Sequence, residues 1–214
     1  MYRDRDSARA TRPLRTLPVT YDEYVRAQLV NTQFEGDHDV YAAGVAEYVA
    51  KLSVGLTPLD RILELGCGDG TSLKLFKAAG LCVLGLDFAD HKLARAVTTG
   101  LPVIKADMHK IPFQDGSATA VLSAHTLEHA LDPVGVMKEC VRVLSPGGVF
   151  RAIVPYPDPG SMPEVHTARE ILGLHPADLD KLRAAVLSSG LLLDNLELHG
   201  SVRGPEAVIW SHKP

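Results

Sequence analysis

The sequence predicts an α/β protein, a doubly wound parallel sheet with helices on both faces. Three observations predict it. From residue 61 to residue 154, short apolar runs alternate with segments of helical periodicity, which requires crossover connections between parallel strands. The first apolar run, Ile62-Leu63-Glu64-Leu65, empties into a turn with glycine at every second position: Gly66, Gly68 and Gly70. Beyond residue 178 the alternation stops. One helix is followed by two strands with a loop but no helix between them, which suits an antiparallel hairpin.

The elements follow in order. Residues 39–53 gather Val40, Ala43, Gly44, Val45, Tyr48, Val49 and Leu52 on one side of a helix, and Thr57-Pro58 breaks it. Residues 61–65 form a short apolar strand, 71–79 a helix stopped by Gly80, and 81–86 a second buried strand. A helix over 91–98 ends near Gly100, and a short strand follows at 102–104. The turn Gln114-Asp115-Gly116-Ser117 leads into a strand over 118–123. Pro133 opens a helix over 133–144, Ser145-Pro146-Gly147-Gly148 follows its end, and a strand covers 149–154. The closing set is a helix over 178–189 and strands over 191–198 and 207–210, joined through Gly200 and Gly204-Pro205.

The chain has 214 residues, 46% apolar and 22% charged, enough for one globular domain with a sizeable core. A net charge of -4 and a pI near 6.1 lack the basic stripe of a nucleic-acid binder, so no nucleic-acid partner is expected. No apolar run reaches the roughly 18 residues of a membrane span, and no secretory segment is recognisable. Residues 1–20 mix five arginines with Asp4 and Asp6 and read as a frayed tail; a transit peptide would be poor in acids. Cys67, Cys82 and Cys140 are odd in number without paired spacing, which fits reduced thiols in a cytoplasmic protein.

In doubly wound sheets ligands lie beyond the carboxyl ends of the strands, where the glycine turn sits. Glycine permits positive φ and lets a ligand approach backbone N–H groups. Two cofactor classes use such a turn. A dinucleotide turn wants its third glycine at position 71, where this chain has Thr71, and its diphosphate is disfavoured beside Glu64 and Asp69. A nucleoside bearing an amino acid and a sulfonium tolerates those carboxylates. Asp87, at the end of the second strand, can accept from both ribose hydroxyls in either class. Its alternative role is a helix cap, for which Asp90 is better placed. Asp107, just past the third strand, can accept from an adenine amino group while a backbone N–H meets the ring.

Taken in order, ILELGCGDG, GLDFAD, KADMHKIPFQDGSATAVLSAHTLEHALDP and ECVRVLSPGGVF resemble a class I S-adenosylmethionine-dependent methyltransferase of the small-molecule, methyltransferase-11-like branch. The likeness is close over residues 60–154 and looser beyond. It implies a Rossmann-like seven-stranded sheet in the order 3-2-1-4-5-7-6, with strand 7 antiparallel, and S-adenosyl-L-methionine as cofactor. It carries Glu64, Gly66, Gly68 and Gly70 to the methionine and ribose side, Asp87 to the ribose hydroxyls, and Asp107 and Met108 to the adenine; Phe88, next to Asp87, counts with the cofactor-binding residues, and Cys67, inside the turn, either faces the ligand or is only a small residue that fits there. It places His125 where the fourth strand lines the methionine arm and the substrate mouth.

SAHTLEHA, residues 123–130, holds the candidate catalytic groups. If it is helical after Thr126, His125 and His129 share a face one turn apart. His129 reads either as a base toward the acceptor or as an imidazole bonded to backbone, and Glu128 as a solvated or capping carboxylate. HTLEH also matches the inverted zincin motif, so a zinc hydrolase through His125, Glu128 and His129 is a remote alternative; no metal is expected, because zincin histidines sit within a long helix. His166, in the proline-rich stretch after Pro155, is the third candidate and reads equally as a cap.

The expected function is methyl transfer to a small organic acceptor, a sugar, lipid-linked or secondary metabolite, with oxygen the favoured atom. No N/D-P-P-Y turn follows the fourth strand, which argues against base or amide nitrogen. The other class left open is a non-catalytic protein that holds the cofactor for a partner. Residues 21–56, with Tyr21, Tyr24 and Gln28, are expected to cap the cofactor, and 57–214 to form the methyltransferase domain. A homodimer is possible.

Overall fold

A computed structural model describes residues 20–30, 38–98, 100–156, 179–202 and 204–214, apart from the side chains of 27, 28, 30 and 38–40. Most of the tail, the side chain of Gln28, the proline-rich stretch after Tyr156 and His166 lie outside the described residues.

Seven strands form one sheet in the order β3-β2-β1-β4-β5-β7-β6. They are β1 (Ile62–Leu65), β2 (Val83–Asp87), β3 (Val103–Lys105), β4 (Ala118–Ala124), β5 (Leu144–Pro155), β6 (Leu192–Ser201) and β7 (Gly204–His212). The first five pair in parallel, and β7 runs antiparallel to both β5 and β6. The central strands read as unbroken apolar runs because both faces are covered: all of Ile62-Leu63-Glu64-Leu65 is buried. Successive residues still point to opposite faces. Leu63, Leu65 and Val121 join a core under α5 (Pro133–Val143) and α6 (Leu179–Ser188). Ile62, Ala120 and Leu122 join a second core under α2 (His38–Leu52), α3 (Thr71–Ala78) and α4 (Asp90–Thr98). Fully burying one such side chain, Phe76 for instance, contributes roughly 1.5–3 kcal/mol.

The elements predicted from sequence are all present, with shifted edges. The fifth strand begins at Leu144 rather than 149, because Leu144 pairs with Ala118 before the glycines bulge. The helix before it is capped as its sequence demands: Asp132 accepts from Gly135 N–H at 2.8 Å and Pro133 occupies the first turn. Residues 21–30 form a further helix, α1 (Tyr21–Val30), beside the carboxyl end of β2. Arg151 of β5 stacks 4.8 Å from the Trp210 ring and donates to the carbonyls of Leu52 and Val54, tying the end of α2 to the sheet. No described helix is long and apolar enough to cross a membrane.

Candidate active site

The turn between β1 and α3 is left-handed three times, with φ of 70° at Gly66, 56° at Gly68 and 80° at Gly70. The reasons for glycine differ along it. A Cβ at Gly66 would fall 2.1 Å from Thr126 Oγ1, whereas one at Gly68 would meet nothing within 4 Å. Crowding and backbone conformation both require glycine at 66; conformation alone requires it at 68. The amides of Gly66 and Cys67 donate to Leu86 O at 2.7 and 3.1 Å. Asp87, 7% exposed, completes the joint: its Oδ2 accepts from Gly68 N–H at 3.0 Å and its Oδ1 from Ala89 N–H at 2.9 Å. This carboxylate is the hub that holds the turn against the start of α4. Asp90, the expected cap, opens α4 and pairs with Lys105 at 2.7 Å instead.

Glu64 is buried, and its Oε2 accepts from Ser72 Oγ at 2.7 Å. Burial raises its pKa to about 7 against the hydrogen bond, and the nearby Asp87 charge pushes the same way. The Cys67 side chain turns into the core, where a Cβ on Gly85 would meet its sulfur at 2.6 Å. Burial pushes that thiol's pKa up, the opposite of an activated nucleophile.

Around Asp107 the structure adds partners that the sequence did not announce. Tyr21 Oη donates to Asp107 Oδ2 at 2.5 Å, and His109 closes on Oδ1 through its amide at 2.8 Å and its Nδ1 at 2.7 Å. Burial alone would raise the Asp107 pKa; the His109 and Tyr21 bonds outweigh it and hold it at about 2. Tyr24 is 1% exposed, stacks 6.4 Å from Phe88 and meets His109 edge-on at 5.4 Å. Burial and the neighbouring Asp107 charge raise its phenol pKa.

After β4 the chain turns sharply at His125, the only described non-glycine residue with positive φ, at 49°. Leu127–His129 is a single 3-10 turn rather than an α-helix. Glu128, read from sequence as a solvated or capping carboxylate, is 1% exposed. His125 Nε2 lies 2.7 Å from Glu206 Oε1 on β7. Among the described residues no group of three or more His, Cys, Asp or Glu side chains is placed to hold a metal ion.

Of the predicted site residues, Gly66, Asp87, Phe88, Met108, His125 and His129 line one cleft, together with Tyr24 and Thr126. Glu64, Cys67, Gly68, Gly70 and Asp107 stand behind or beside it. The cleft measures about 100 Å³, against the roughly 300–1,000 Å³ of ligand pockets. Thr126 and Glu206 were missed by sequence reasoning. Thr126 stood inside a quoted motif without a role, and Glu206 had no motif at all.

Residues 63–152 match the family model described as a methyltransferase domain. Cycloartenol-C-24-methyltransferase 1 of Oryza sativa is 34% identical over 113 residues, 49% of this chain and 33% of that protein. Demethylmenaquinone methyltransferase of Renibacterium salmoninarum is 31% identical over 124 residues, 56% of this chain and 52% of that protein. The chain thus spans a third to a half of the length of these curated relatives. A solved S-adenosylmethionine-dependent methyltransferase from Mesorhizobium loti superposes with a TM-score of 0.62 at 20% identity, covering 80% of this chain and all of that one. The [4+2]-cyclase SpnF superposes with a TM-score of 0.64 at 18% identity over 79% of this chain and 80% of its own. A fold held in common with a protein of that name does not by itself settle chemistry. The ordered cleft motifs and the matched domain settle the kinship of that segment: residues 63–152 are a methyltransferase domain of the class I S-adenosylmethionine-dependent kind.

Proposed function

We propose that the protein transfers a methyl group from S-adenosylmethionine to the oxygen of a small organic acceptor, a sugar, lipid-linked or secondary metabolite. One observation carries the cofactor reading. Glu64, Asp87, Glu128 and Glu206 are all buried at or beside the carboxyl ends of the strands, and no Lys or Arg is among the buried described residues. Lys92 reaches the cleft from α4 only half-buried. A site with that charge repels a diphosphate and suits a guest bearing an ammonium and a sulfonium.

The Gly66–Gly70 backbone and Glu64 would hold the methionine arm, Asp87 the ribose hydroxyls, and Asp107, Met108 and Phe88 the adenine. The cofactor supplies an electrophilic methyl on a good leaving group, so the protein's task is alignment in a dry cleft more than acid–base work. A hydroxyl acceptor must still lose its proton, and the imidazoles of His125 and His129 line the cleft to take it. The relatives' names, cycloartenol and demethylmenaquinone, favour the lipid branch of the acceptors. Residues 21–56 act as a cap, since Tyr24 of α1 forms one wall of the cleft. His166 keeps its candidacy on sequence grounds.

Calorimetry with S-adenosylhomocysteine and, separately, NADH tests the cofactor. Binding of NADH without S-adenosylhomocysteine ends the proposal. Radiolabelled methyl transfer into a lipid extract then distinguishes an enzyme from a protein that merely holds the cofactor for a partner.

A further inference from the structure

Asp107 lies between Ala106 and Met108, which both line the cleft. The Ala106 amide donates to Asp87 O at 3.0 Å, so the loop after β3 is fixed to the residue that carries the hub carboxylate. Burial would raise the Asp107 pKa, but the bonds from His109 and Tyr21 hold it at about 2, so the carboxylate only accepts. An ionised carboxylate offers about four acceptor sites, shared between its two oxygens. His109 takes those on Oδ1, through its amide at 2.8 Å and its ring Nδ1 at 2.7 Å. Tyr21 takes one on Oδ2. What remains is a site on the oxygen that His109 leaves alone. The His109 ring is itself held from behind. The amides of Leu131 and Asp132, between the 3-10 turn and α5, donate to its Nε2 at 3.1 and 3.3 Å. A ring nitrogen that accepts these amides carries no proton, so the proton sits on Nδ1 and points at Asp107. Tyr24, which forms a wall of the cleft, meets the ring edge-on at 5.4 Å. A local turn between Asp107 and His109 needs only the His109 amide; the ring's reach to positions 131 and 132 fixes the carboxylate's orientation beyond that turn.

We propose that His109 is a positioning residue for base selection: it occupies Oδ1 of Asp107 and leaves Oδ2 to accept one N–H from the base, so the cleft prefers the amino group of adenine to the carbonyl of hypoxanthine. This rests on the methyl-transfer reading above, which puts adenine beside Asp107. A carbonyl oxygen at that place offers a second acceptor to an ionised carboxylate, and the two repel. Without the His109 ring the carboxylate is free to turn, its accepting oxygen is no longer aimed at the base, and the preference falls.

The test is calorimetry of the full chain with S-adenosylhomocysteine and with S-inosylhomocysteine, in which a carbonyl replaces the adenine amino group. The wild type is expected to bind the first at least about tenfold tighter, the worth of one charge-assisted bond. His109→Ala is expected to cut that preference at least about threefold. A merely structural loosening weakens both nucleosides alike and leaves their ratio where it was, so a smaller fall in a folded His109→Ala protein overturns the proposal. Two wild-type results overturn it without any variant: a preference below about tenfold, or a proton on His109 Nε2 in histidine nitrogen NMR. Wild-type protein that binds neither nucleoside sinks the methyl-transfer reading and this inference together, whereas equal binding of both sinks this inference alone.

Discussion

Asp87→Asn separates the two jobs that the hub carboxylate holds. Both Asp87 oxygens already accept backbone amides, from Gly68 at 3.0 Å and from Ala89 at 2.9 Å. An ionised carboxylate has about four acceptor sites, so two remain for a pair of ribose hydroxyls. An asparagine amide keeps one accepting oxygen and turns its NH2 toward one of the two N–H donors. That leaves a buried donor unsatisfied, which costs about 1–3 kcal/mol of stability. On the ligand side it removes charge-assisted bonds worth roughly 1.5–3 kcal/mol, or about a 10- to 150-fold weaker Kd for S-adenosylhomocysteine. Calorimetry measures the second quantity, and thermal unfolding of the free protein measures the first. A lowered Tm with Kd within about threefold of wild type would show that Asp87 only braces the turn, and would remove it from the ribose. Unchanged Tm would contradict the two amide bonds.

Three further outcomes are expected. Glu64 holds its proton to about pH 7, so a cationic guest that needs it ionised must release that proton below neutrality. Affinity for S-adenosylmethionine should rise by about tenfold in all between pH 6 and pH 8, most of it below pH 7, and level off above; calorimetry in buffers of differing ionisation enthalpy should count the released proton, and a flat profile refutes the linkage. The same raised pKa favours the folded state fully below the ordinary carboxyl value of 4.5, and that contribution is lost as pH climbs through about 7. Tyr21→Phe removes one of the bonds that hold Asp107 near 2, so the Asp107 carboxyl should titrate closer to its ordinary 3.8 in carbon NMR; no movement dismisses the Tyr21 bond. Gly66→Ala should cost more than Gly68→Ala, because only the former drives a Cβ into Thr126. The Gly68 variant bears the left-handed penalty alone, about 1–2 kcal/mol, and each kcal/mol lowers Tm by roughly 2–4 °C in a chain of this size; equal losses refute the crowding argument.

The fold was legible because its signals are local. Ile62-Leu63-Glu64-Leu65 and its glycines identify a strand and its exit, whatever else the chain does. Pro133 and Asp132 mark a helix start by chemistry that acts within three residues. Strand ends were less legible, since they depend on the partner. Ser145-Pro146-Gly147-Gly148 reads as a turn by composition, yet Leu144 is already paired with Ala118. In the same way the final strands extend to Ser201 and from Gly204, because each backbone group finds its counterpart across the hairpin.

The site divides along the same line, which explains why its acids were found and their partners were not. Asp87 and Glu64 sit at fixed offsets from the glycine turn, so spacing alone reveals them. Tyr21 reaches Asp107 across 86 residues and Glu206 reaches His125 across 81. No periodicity encodes such a contact; it exists because β7 inserts antiparallel beside β5 and carries position 206 to the end of β4. Glu128 misled for a related reason. In a short polar segment between a strand and a proline, a glutamate is normally solvated, but the 3-10 turn folds Leu127 and Glu128 inward beneath the cleft. Burying that carboxylate is unfavourable on its own. It becomes tolerable where imidazoles stand on either side and a cationic guest completes the charge, so a residue that reads from sequence as a solvated or capping carboxylate bears directly on what the cleft is built to hold.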